Sequence, residues 1–374
     1  MNPFNFREVP ADGPFCDREK ELEDLVGYAK GRASVVLFSP RRYGKTSLVR
    51  RVQKRLHDEG SVTVYADFFG VTSVDDVASR FAKAVFSVIH GRESHWNSAV
   101  RIFKSFRPVV RYDERGGISV GVEPAMIRKG GEDLLGETLS SFGNFVSETG
   151  NGVHVALDEF QEIAVLKDSL KIEGIMRSHI QRQRSSYFFI GSRRRILLGM
   201  FNDRQRPFYQ SAINVELGPL PLEDLTLFLV GRFQDGGKAC SLESAGEIVG
   251  RVRAHPYYAQ KLAFFVYETA KDAVRPEDVR EGMEKLLQAE RPVYEAILQG
   301  LSIGQVSLLK ALAKEPGESI LSVDYMVRHG LGSIGGIQGA RKKLLSLDLI
   351  EEEKTAPRRL SVVDPVLDVW LTRE

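Results

Sequence analysis

Nine residues, SPRRYGKTS at positions 39–47, limit the possible folds of this chain more than any other segment. They follow an apolar run at 34–38 that predicts a buried strand, and they open an amphipathic helical pattern at 46–56. The pattern G-x-x-x-x-G-K-[ST] between a strand and a helix is typical of a phosphate-binding loop, here with Ser39 in place of the first glycine. A chance Gly-Lys-Thr between two such elements is the alternative.

The residue types of this loop explain its chemistry. Backbone N–H groups of the loop and of the first helical turn converge on a phosphate, and the helix dipole adds positive potential. Gly44 lets the backbone approach closely, Lys45 would reach the β- and γ-phosphates, and Thr46 would give a hydroxyl ligand to Mg²⁺. The predicted nucleotide-binding residues of the loop are Pro40, Arg41, Arg42, Tyr43, Gly44, Lys45, Thr46 and Ser47.

A second hydrophobic strand, at 153–157, ends in the paired carboxylates Asp158 and Glu159. Such a strand is typical of the Walker B element of nucleotide hydrolases. Asp158 would be the second metal ligand beside Thr46, and Glu159 would polarise the water that attacks the γ-phosphate. Alternatively, the two acids cap the helix that follows.

A third strand end carries a small polar residue, Ser192, after Ile190 and Gly191. In a sheet of this class the strand would lie beside the Walker B strand. Ser192 could therefore sense the γ-phosphate or position water, and a plain strand-to-loop turn is the alternative interpretation.

Between residues 174 and 210 there are eight arginines and one acid, Asp203. Any of Arg193, Arg194, Arg195 and Arg206 could act on the γ-phosphate as an arginine finger, and Arg206 is the candidate retained here. The cluster could equally be a solvated face, or a surface that docks the phosphate backbone of a nucleic acid.

Five stretches carry a resemblance to a known family: FCDREKEL at 15–22, PRRYGKTSL at 40–48, DEFQ at 158–161, HPYY at 255–258 and DPVLDVWL at 364–371. In this order they resemble archaeal-type P-loop ATPases of the AAA and STAND group. The resemblance implies an ATPase core, a helical lid and a winged helix. It also implies that Phe15, Arg18 and Glu19 lie near the adenine or brace that region.

At 374 residues the chain is too long for one ordinary core, and its patterns predict three domains. Residues 1–218 alternate strands and helices and predict the P-loop ATPase core, with a β-hairpin inserted at about 107–129. The pattern of residues 219–300 predicts a helical lid. The pattern of residues 301–374 predicts three helices and then a β-wing, which is the order of a winged helix. The predicted class is α/β: an AAA-like P-loop NTPase core with a parallel sheet, a helical lid and a C-terminal winged-helix domain.

The composition bears on compartment and partners. Lysine and arginine number 52 against 50 acids, a formal charge of +2, so no global field favours DNA or membranes. Cys16 and Cys240 have no metal-ligand spacing, and no run of about 18 apolar residues or signal-peptide pattern occurs. We expect a cytoplasmic protein without a membrane partner.

We therefore expect a Mg²⁺-dependent ATPase, converting ATP and water to ADP and phosphate, whose turnover drives or switches a conformational change of the lid and winged-helix domains. The alternative is a STAND-like nucleotide-dependent switch or a DNA-binding regulator with little intrinsic turnover. The winged helix would bind DNA or a protein partner, although residues 323–374 hold eight basic and eight acidic side chains, a weak balance for phosphate-driven binding. Oligomerisation is possible.

Overall fold

The computed structural model divides the chain into two compact units. It describes residues 1–7, 9–90, 106–112, 118–124, 130–352 and 359–373. One of the two units, here called the sheet unit, comprises Pro10–Gly13 and Arg18–Gly218. The second, the helical unit, comprises Met1–Val9, Pro14–Asp17 and Pro219–Glu374.

A five-stranded parallel sheet forms the centre of the sheet unit. The strands of this unit are β1 (Val35–Phe38), β2 (Val62–Asp67), β3 (Phe106–Tyr112), β4 (Ile118–Pro124), β5 (Val153–Asp158), β6 (Ser185–Gly191) and β7 (Ile213–Glu216). The sheet has the order β2-β5-β6-β1-β7, and every neighbouring pair is parallel. The predicted parallel α/β sheet is confirmed.

Helices cover both faces of this sheet. They are α1 (Glu19–Lys30), α2 (Lys45–Asp58), α3 (Val74–His90), α4 (Gly131–Glu148), α5 (Ser169–Ile180) and α6 (Arg194–Asn202), with a 3₁₀ helix at Phe160–Val165. Every residue of β1, β5 and β6 is buried. Continuous apolar strands are expected where a parallel sheet is covered on both faces.

Strands β3 and β4 form an antiparallel pair at the position of the predicted insertion. Their register runs from Phe106 opposite Pro124 to Tyr112 opposite Ile118. The predicted turn between them and the end of the predicted hairpin, at 113–117 and 125–129, lie outside the described residues.

The helical unit contains the remaining elements. These are α7 (Leu222–Asp235), α8 (Leu242–Arg251), α9 (Pro256–Thr269), α10 (Pro276–Gln299), α11 (Ile303–Lys314), α12 (Val323–Arg328), α13 (Ile334–Ser346), β8 (Ile350–Glu352), β9 (Leu360–Val362) and α14 (Pro365–Arg373). One hydrophobic core runs through α7 to α14, and Phe4 of the N-terminal segment joins it against Phe233 and Tyr267. The predicted boundary between lid and winged helix, at residues 300 and 301, stays a prediction. Residues before and after this boundary share the same core.

A buried polar cluster joins α9 and α10 to the start of α14. Tyr258 and Tyr294 both donate hydrogen bonds to the Asp364 carboxylate, the second over 3.4 Å. The N–H groups of Val366 and Leu367 donate to Asp364 Oδ1 at 2.9 Å each, so Asp364 also caps α14. Burial raises the pKa of Asp364. The HPYY and DPVLDVWL stretches therefore meet in one cluster.

Helix α10 has 24 residues and is amphipathic, with Val279, Met283 and Leu286 on its buried side.

Across the part of the chain that the structure describes, none of the helices has both the length and the apolar character needed to cross a membrane.

Candidate active site

The loop between β1 and α2 has the backbone geometry of an anion-binding turn. Gly44 precedes α2 with φ 84°, a left-handed conformation that a side chain would disfavour. No side chain caps the first turn of α2. Backbone N–H groups at a helix start without a side-chain cap are suited to a bound anion, which takes the place of the cap.

Lys45 is buried under this loop, with 6% of its surface exposed. Its Nζ donates to the carbonyl oxygen of Ser39 at 3.1 Å, to Ser39 Oγ at 3.0 Å and to the carbonyl oxygen of Pro40 at 2.9 Å. Burial lowers the pKa of Lys45 to about 8, although the carboxylates of Glu159 and Asp158 raise it. Loop oxygens thus accept the hydrogen bonds that phosphate oxygens would accept from this lysine.

Asp158 lies opposite the start of α2. Thr46 Oγ1 donates to Asp158 Oδ2 at 3.0 Å, and the N–H of Glu159 donates to Oδ1 at 2.9 Å. The hydroxyl of Tyr65 also donates to Oδ2. Burial raises the pKa of Tyr65, and the neighbouring carboxylate raises it further, so this hydroxyl keeps the proton that it donates.

The pair of Thr46 and Asp158 fits a magnesium ion. A hydroxyl and a carboxylate oxygen 3.0 Å apart are hard oxygen ligands of the kind Mg²⁺ prefers. The described residues contain no group of three or more His, Cys, Asp or Glu side chains that could hold a metal. A nucleotide-bound Mg²⁺ ion usually takes one or two protein ligands and completes its shell with phosphate oxygens and water.

The Glu159 carboxylate is held by two donors. Ser192 Oγ donates to Glu159 Oε2 at 3.1 Å, and the side-chain amide of Gln161 donates to the same oxygen. Glu159 itself has φ 49°, a left-handed backbone at the end of β5. A Cβ at residue 191 would collide with Oε1 of Gln161, so a larger residue there would displace the Gln161 side chain.

The strand order explains why these groups meet. β6 lies between β1 and β5, and all three strands are parallel. Their carboxyl ends therefore share one edge of the sheet, as at the ligand-binding edge of other open parallel sheets. The order brings together the loop after β1, the Asp158–Glu159 pair after β5 and Ser192 after β6.

The arginine cluster is divided among separate acidic partners. Arg193 pairs with Glu162 at 3.5 Å, and Arg194 pairs with Glu216 at 3.3 Å. Arg206 donates to Glu173 at 2.5 Å.

Glu173 is wholly buried, and burial raises its pKa to about 7 although Arg206 lowers it. The role of Arg206 as an arginine finger stays a prediction. The finger role would use the guanidinium of Arg206, which already forms an ion pair with the buried carboxyl group of Glu173.

The residues expected near the adenine occupy different surroundings. Arg18 is buried with φ 81° at the start of α1, where it donates to Glu21 at 2.6 Å and to the carbonyl oxygen of Gly218 at 2.5 Å. Glu19 is exposed in the first turn of α1, and Phe15 belongs to the helical unit. Their adenine contacts stay a prediction, and Arg18 has a structural contact that joins the two ends of the sheet unit.

The other predicted loop residues differ in exposure. Arg41 and Arg42 are exposed, Pro40 and Tyr43 are half-buried, and Ser47 is buried.

Sequence reasoning missed two residues of the site, Tyr65 and Gln161. Gln161 lay within the DEFQ stretch, but its pattern does not predict a hydrogen bond back to Glu159. Tyr65 lies on β2, opposite Ala156 of β5. Its contact with Asp158 depends on which strand pairs with β5, and the sequence pattern does not carry that information.

Comparisons with known proteins agree with this fold. A family described as a probable winged helix domain matches residues 292–373. A comparison with curated proteins gives no match.

The solved structures with similar folds include three archaeal proteins. A Walker-type ATPase of Pyrococcus abyssi has a TM-score of 0.70 and 19% identity, covering 99% of each chain. The ORC2 protein of Aeropyrum pernix in ADPNP–ADP complexes has a TM-score of 0.60 and 16% identity over 100% of this chain and 98% of that one. The ORC1 protein of Aeropyrum pernix in complex with DNA has a TM-score of 0.50 and 15% identity over 97% and 94%.

At these identities the likeness establishes the fold, and it covers the whole length of each chain. The strand order, the loop before α2 and the winged-helix match at residues 292–373 all agree with this fold. The chain therefore has the archaeal-type P-loop ATPase fold, with a parallel-sheet core and a C-terminal winged-helix domain.

Proposed function

We propose that this protein binds ATP with Mg²⁺ and hydrolyses it to ADP and phosphate. The observation that carries the proposal is the convergence of three strand ends. Thr46 and Asp158 lie in hydrogen-bond contact, and Glu159 beside them is held by Ser192. A metal-binding pair next to a positioned carboxylate, under an anion-binding turn, is the arrangement needed for attack of water on a phosphate.

ATP binding would change the partners of Lys45. Its Nζ would leave the oxygens of Ser39 and Pro40 and donate to the β- and γ-phosphates. Transferring hydrogen bonds from neutral oxygens to charged ones strengthens them. Thr46 and Asp158 would hold Mg²⁺, which supplies positive charge for the phosphate oxygens when it is bound.

Hydrolysis would use Glu159 as the general base. A water oxygen forms a bond to the γ-phosphorus, the bond from that phosphorus to the bridging oxygen breaks, and ADP leaves. Glu159 accepts a proton of the attacking water, while Ser192 orients the carboxylate. Arg206 remains the candidate for stabilising the γ-phosphate charge, provided that it can leave Glu173.

A slow nucleotide-dependent switch is the second candidate function. It is favoured by the two donors, Ser192 and Gln161, that share one oxygen of Glu159. A proton from water must therefore reach the other oxygen, Oε1, or displace one of these donors from Oε2. In either case we propose that bound nucleotide changes the position of the lid and winged-helix domains.

The winged helix is the proposed partner-binding part. A neighbour in fold, the ORC1 protein, was solved in complex with DNA, which supports DNA as one partner. The side chain of Arg341 on α13 is paired with Glu352 at 2.5 Å, and Ile334, at the start of that helix, is exposed. These two features support a protein partner at least as well as DNA. Binding to duplex DNA at low and moderate salt would separate the two, since phosphate-driven binding weakens steeply with salt.

Two variants and a matched control test the enzymatic proposal. We expect Lys45→Ala to lose Mg²⁺-dependent ATP affinity by at least about 100-fold, since a buried charged partner of the phosphates disappears. Lys54→Ala removes an exposed lysine of the same helix, paired with Asp58, and is expected to bind like the wild type. Equal affinities of the two variants would contradict the proposed site.

Glu159→Gln separates binding from chemistry. We expect it to bind ATP like the wild type and to hydrolyse it about 10²- to 10⁴-fold more slowly in single-turnover experiments, because glutamine cannot accept the proton. An unchanged rate would exclude Glu159 as the base. A wild-type rate far below the usual enzymatic range of about 1 to 10³ s⁻¹, and lowered further in the variant, would instead favour the switch.

A further inference from the structure

Tyr65 occupies a position from which it can reach the predicted metal ligand. On the paired strands β2 and β5, Tyr65 lies opposite Ala156, and Asp158 follows two residues later on the same face. Diagonal neighbours on paired strands are within reach of aromatic side chains. The Tyr65 hydroxyl uses this position to donate to Asp158 Oδ2.

Three donors fix the orientation of the Asp158 carboxylate. Thr46 and Tyr65 donate to Oδ2, and the N–H of Glu159 donates to Oδ1. Asp158 is only 7% exposed, so water contributes little to its orientation. Among these donors, Thr46 is itself a proposed metal ligand and Glu159 donates through its backbone. Tyr65 is the side chain whose contribution is orientation alone.

The ring of Tyr65 is itself held in place by α2. The guanidinium of Arg50 lies over the ring, with its Cζ 3.5 Å from the ring centre. This is a cation–π contact at short range. Arg50 is four residues, about one helical turn, after Thr46 on α2. The helix that carries one proposed metal ligand thus also positions the side chain that orients the other.

We infer that Tyr65 is a positioning residue for the divalent cation of the bound nucleotide, acting through the carboxylate of Asp158. The inference rests on the proposed function, since it assigns Tyr65 to the metal of that same site. Groups that hydrogen-bond to a metal ligand fix its orientation, and their removal typically weakens metal affinity by about 10- to 100-fold. Tyr65 therefore affects the contribution of the cation to nucleotide binding and leaves direct nucleotide binding unchanged.

Tyr65→Phe tests this inference, because it removes the hydroxyl and keeps the ring under Arg50. The measured quantity is the affinity for a non-hydrolysable ATP analogue in Mg²⁺, divided by the affinity in EDTA, from isothermal titration calorimetry. We expect this ratio to fall about 10-fold in Tyr65→Phe. The affinity in EDTA should stay within about twofold of wild type, because the hydroxyl is not proposed to contact the nucleotide.

Tyr187→Phe is the matched control. It also removes a buried tyrosine hydroxyl from the sheet, one that donates to Gln183 instead of Asp158. We expect its ratio to equal that of the wild type. Asp158→Asn serves as the comparison for a damaged metal ligand, and its ratio should fall at least as far as that of Tyr65→Phe.

The possible results distinguish this inference from the function on which it rests. If wild-type protein binds the analogue equally well in Mg²⁺ and in EDTA, the proposed metal site itself fails. If the wild-type ratio is large and Tyr65→Phe leaves it unchanged, only the role of Tyr65 is overturned. A parallel loss of affinity in EDTA, or an equal fall in Tyr187→Phe, would also overturn it, since both describe general damage to the sheet.

Discussion

His154 is a buried imidazole on β5, the strand that ends in Asp158. It is 2% exposed, its Nδ1 lies 2.8 Å from Ser186 Oγ, and its ring packs edge-on against Phe188. Its Nε2 has no hydrogen-bond partner among the described residues. Burial lowers the pKa of His154 to about 3. We therefore expect His154 to stay neutral in the folded protein and to make folding sensitive to acid.

The magnitude follows from proton linkage. The unfolded chain binds a proton at His154 near its ordinary pKa of 6.5, whereas the folded chain binds it only near 3. Between these values the unfolded state holds more protons, so the free energy of unfolding falls as the pH falls. The full difference between the two pKa values corresponds to about 5 kcal/mol of unfolding free energy. About 3 kcal/mol of it is lost between pH 7 and pH 4. Total stabilities of about 5–15 kcal/mol make such a loss measurable.

The test compares urea unfolding of wild type and His154→Asn at pH 7 and pH 4. The asparagine amide can still form a hydrogen bond with Ser186 Oγ but does not take up a proton, while all other titrating groups are common to both proteins. We expect the wild type to lose about 3 kcal/mol more than the variant between the two pH values. Equal losses, or an imidazole of His154 that titrates near pH 6.5 by NMR, would refute the reasoning.

Two further predictions concern carboxyl groups, that of the buried Glu173 and that of the half-buried Asp364. We expect Arg206→Ala to lower the free energy of unfolding by about 3 kcal/mol at pH 8, which lies above the Glu173 pKa of about 7, so that a charged Glu173 loses its partner. At pH 6, where Glu173 is mostly protonated, we expect a loss of about 2 kcal/mol. Urea unfolding in a Glu173→Gln background should show no such pH dependence. The hydrolysis rate of Arg206→Ala in that background then tests the finger role apart from stability. We expect Asp364→Ala to lower the free energy of unfolding by about 3 kcal/mol, because Tyr258 and Tyr294 lose an acceptor and α14 loses its cap, and Asp364→Asn by about 1 kcal/mol. Equal losses in these two variants, measured by urea unfolding, would contradict this account.

Local sequence patterns predicted most residues of the proposed site. Gly44, Lys45 and Thr46 lie next to one another between a strand and a helix, so their chemistry could be read without knowledge of distant parts of the chain. Asp158 and Glu159 were recognisable because an apolar strand ends at them. Continuous apolar strands also predicted a sheet covered on both faces, which the buried strands β1, β5 and β6 confirm.

Contacts between distant segments needed the tertiary structure. The hydrogen bond of Tyr65 to Asp158 joins residues 93 positions apart, and the ion pair of Arg206 with Glu173 spans 33. Neither follows from periodicity, because periodicity states which face of an element is apolar and does not state which element it meets. Arg206 cannot act as an arginine finger and pair with Glu173 at the same time. This conflict is visible only once the positions of both side chains are known.

The sequence by itself determined the α/β class, and it was enough to propose the phosphate-binding loop and the two carboxylates, since each depends on neighbouring residues and on the apolar pattern of single elements. Only the tertiary structure decided the order β2-β5-β6-β1-β7, the orientation of Asp158 by Tyr65 and the common core of helices α7 to α14. The physical reason is that strand order and side-chain partners are set by the packing of the whole unit, in which many weak contacts between distant residues act together.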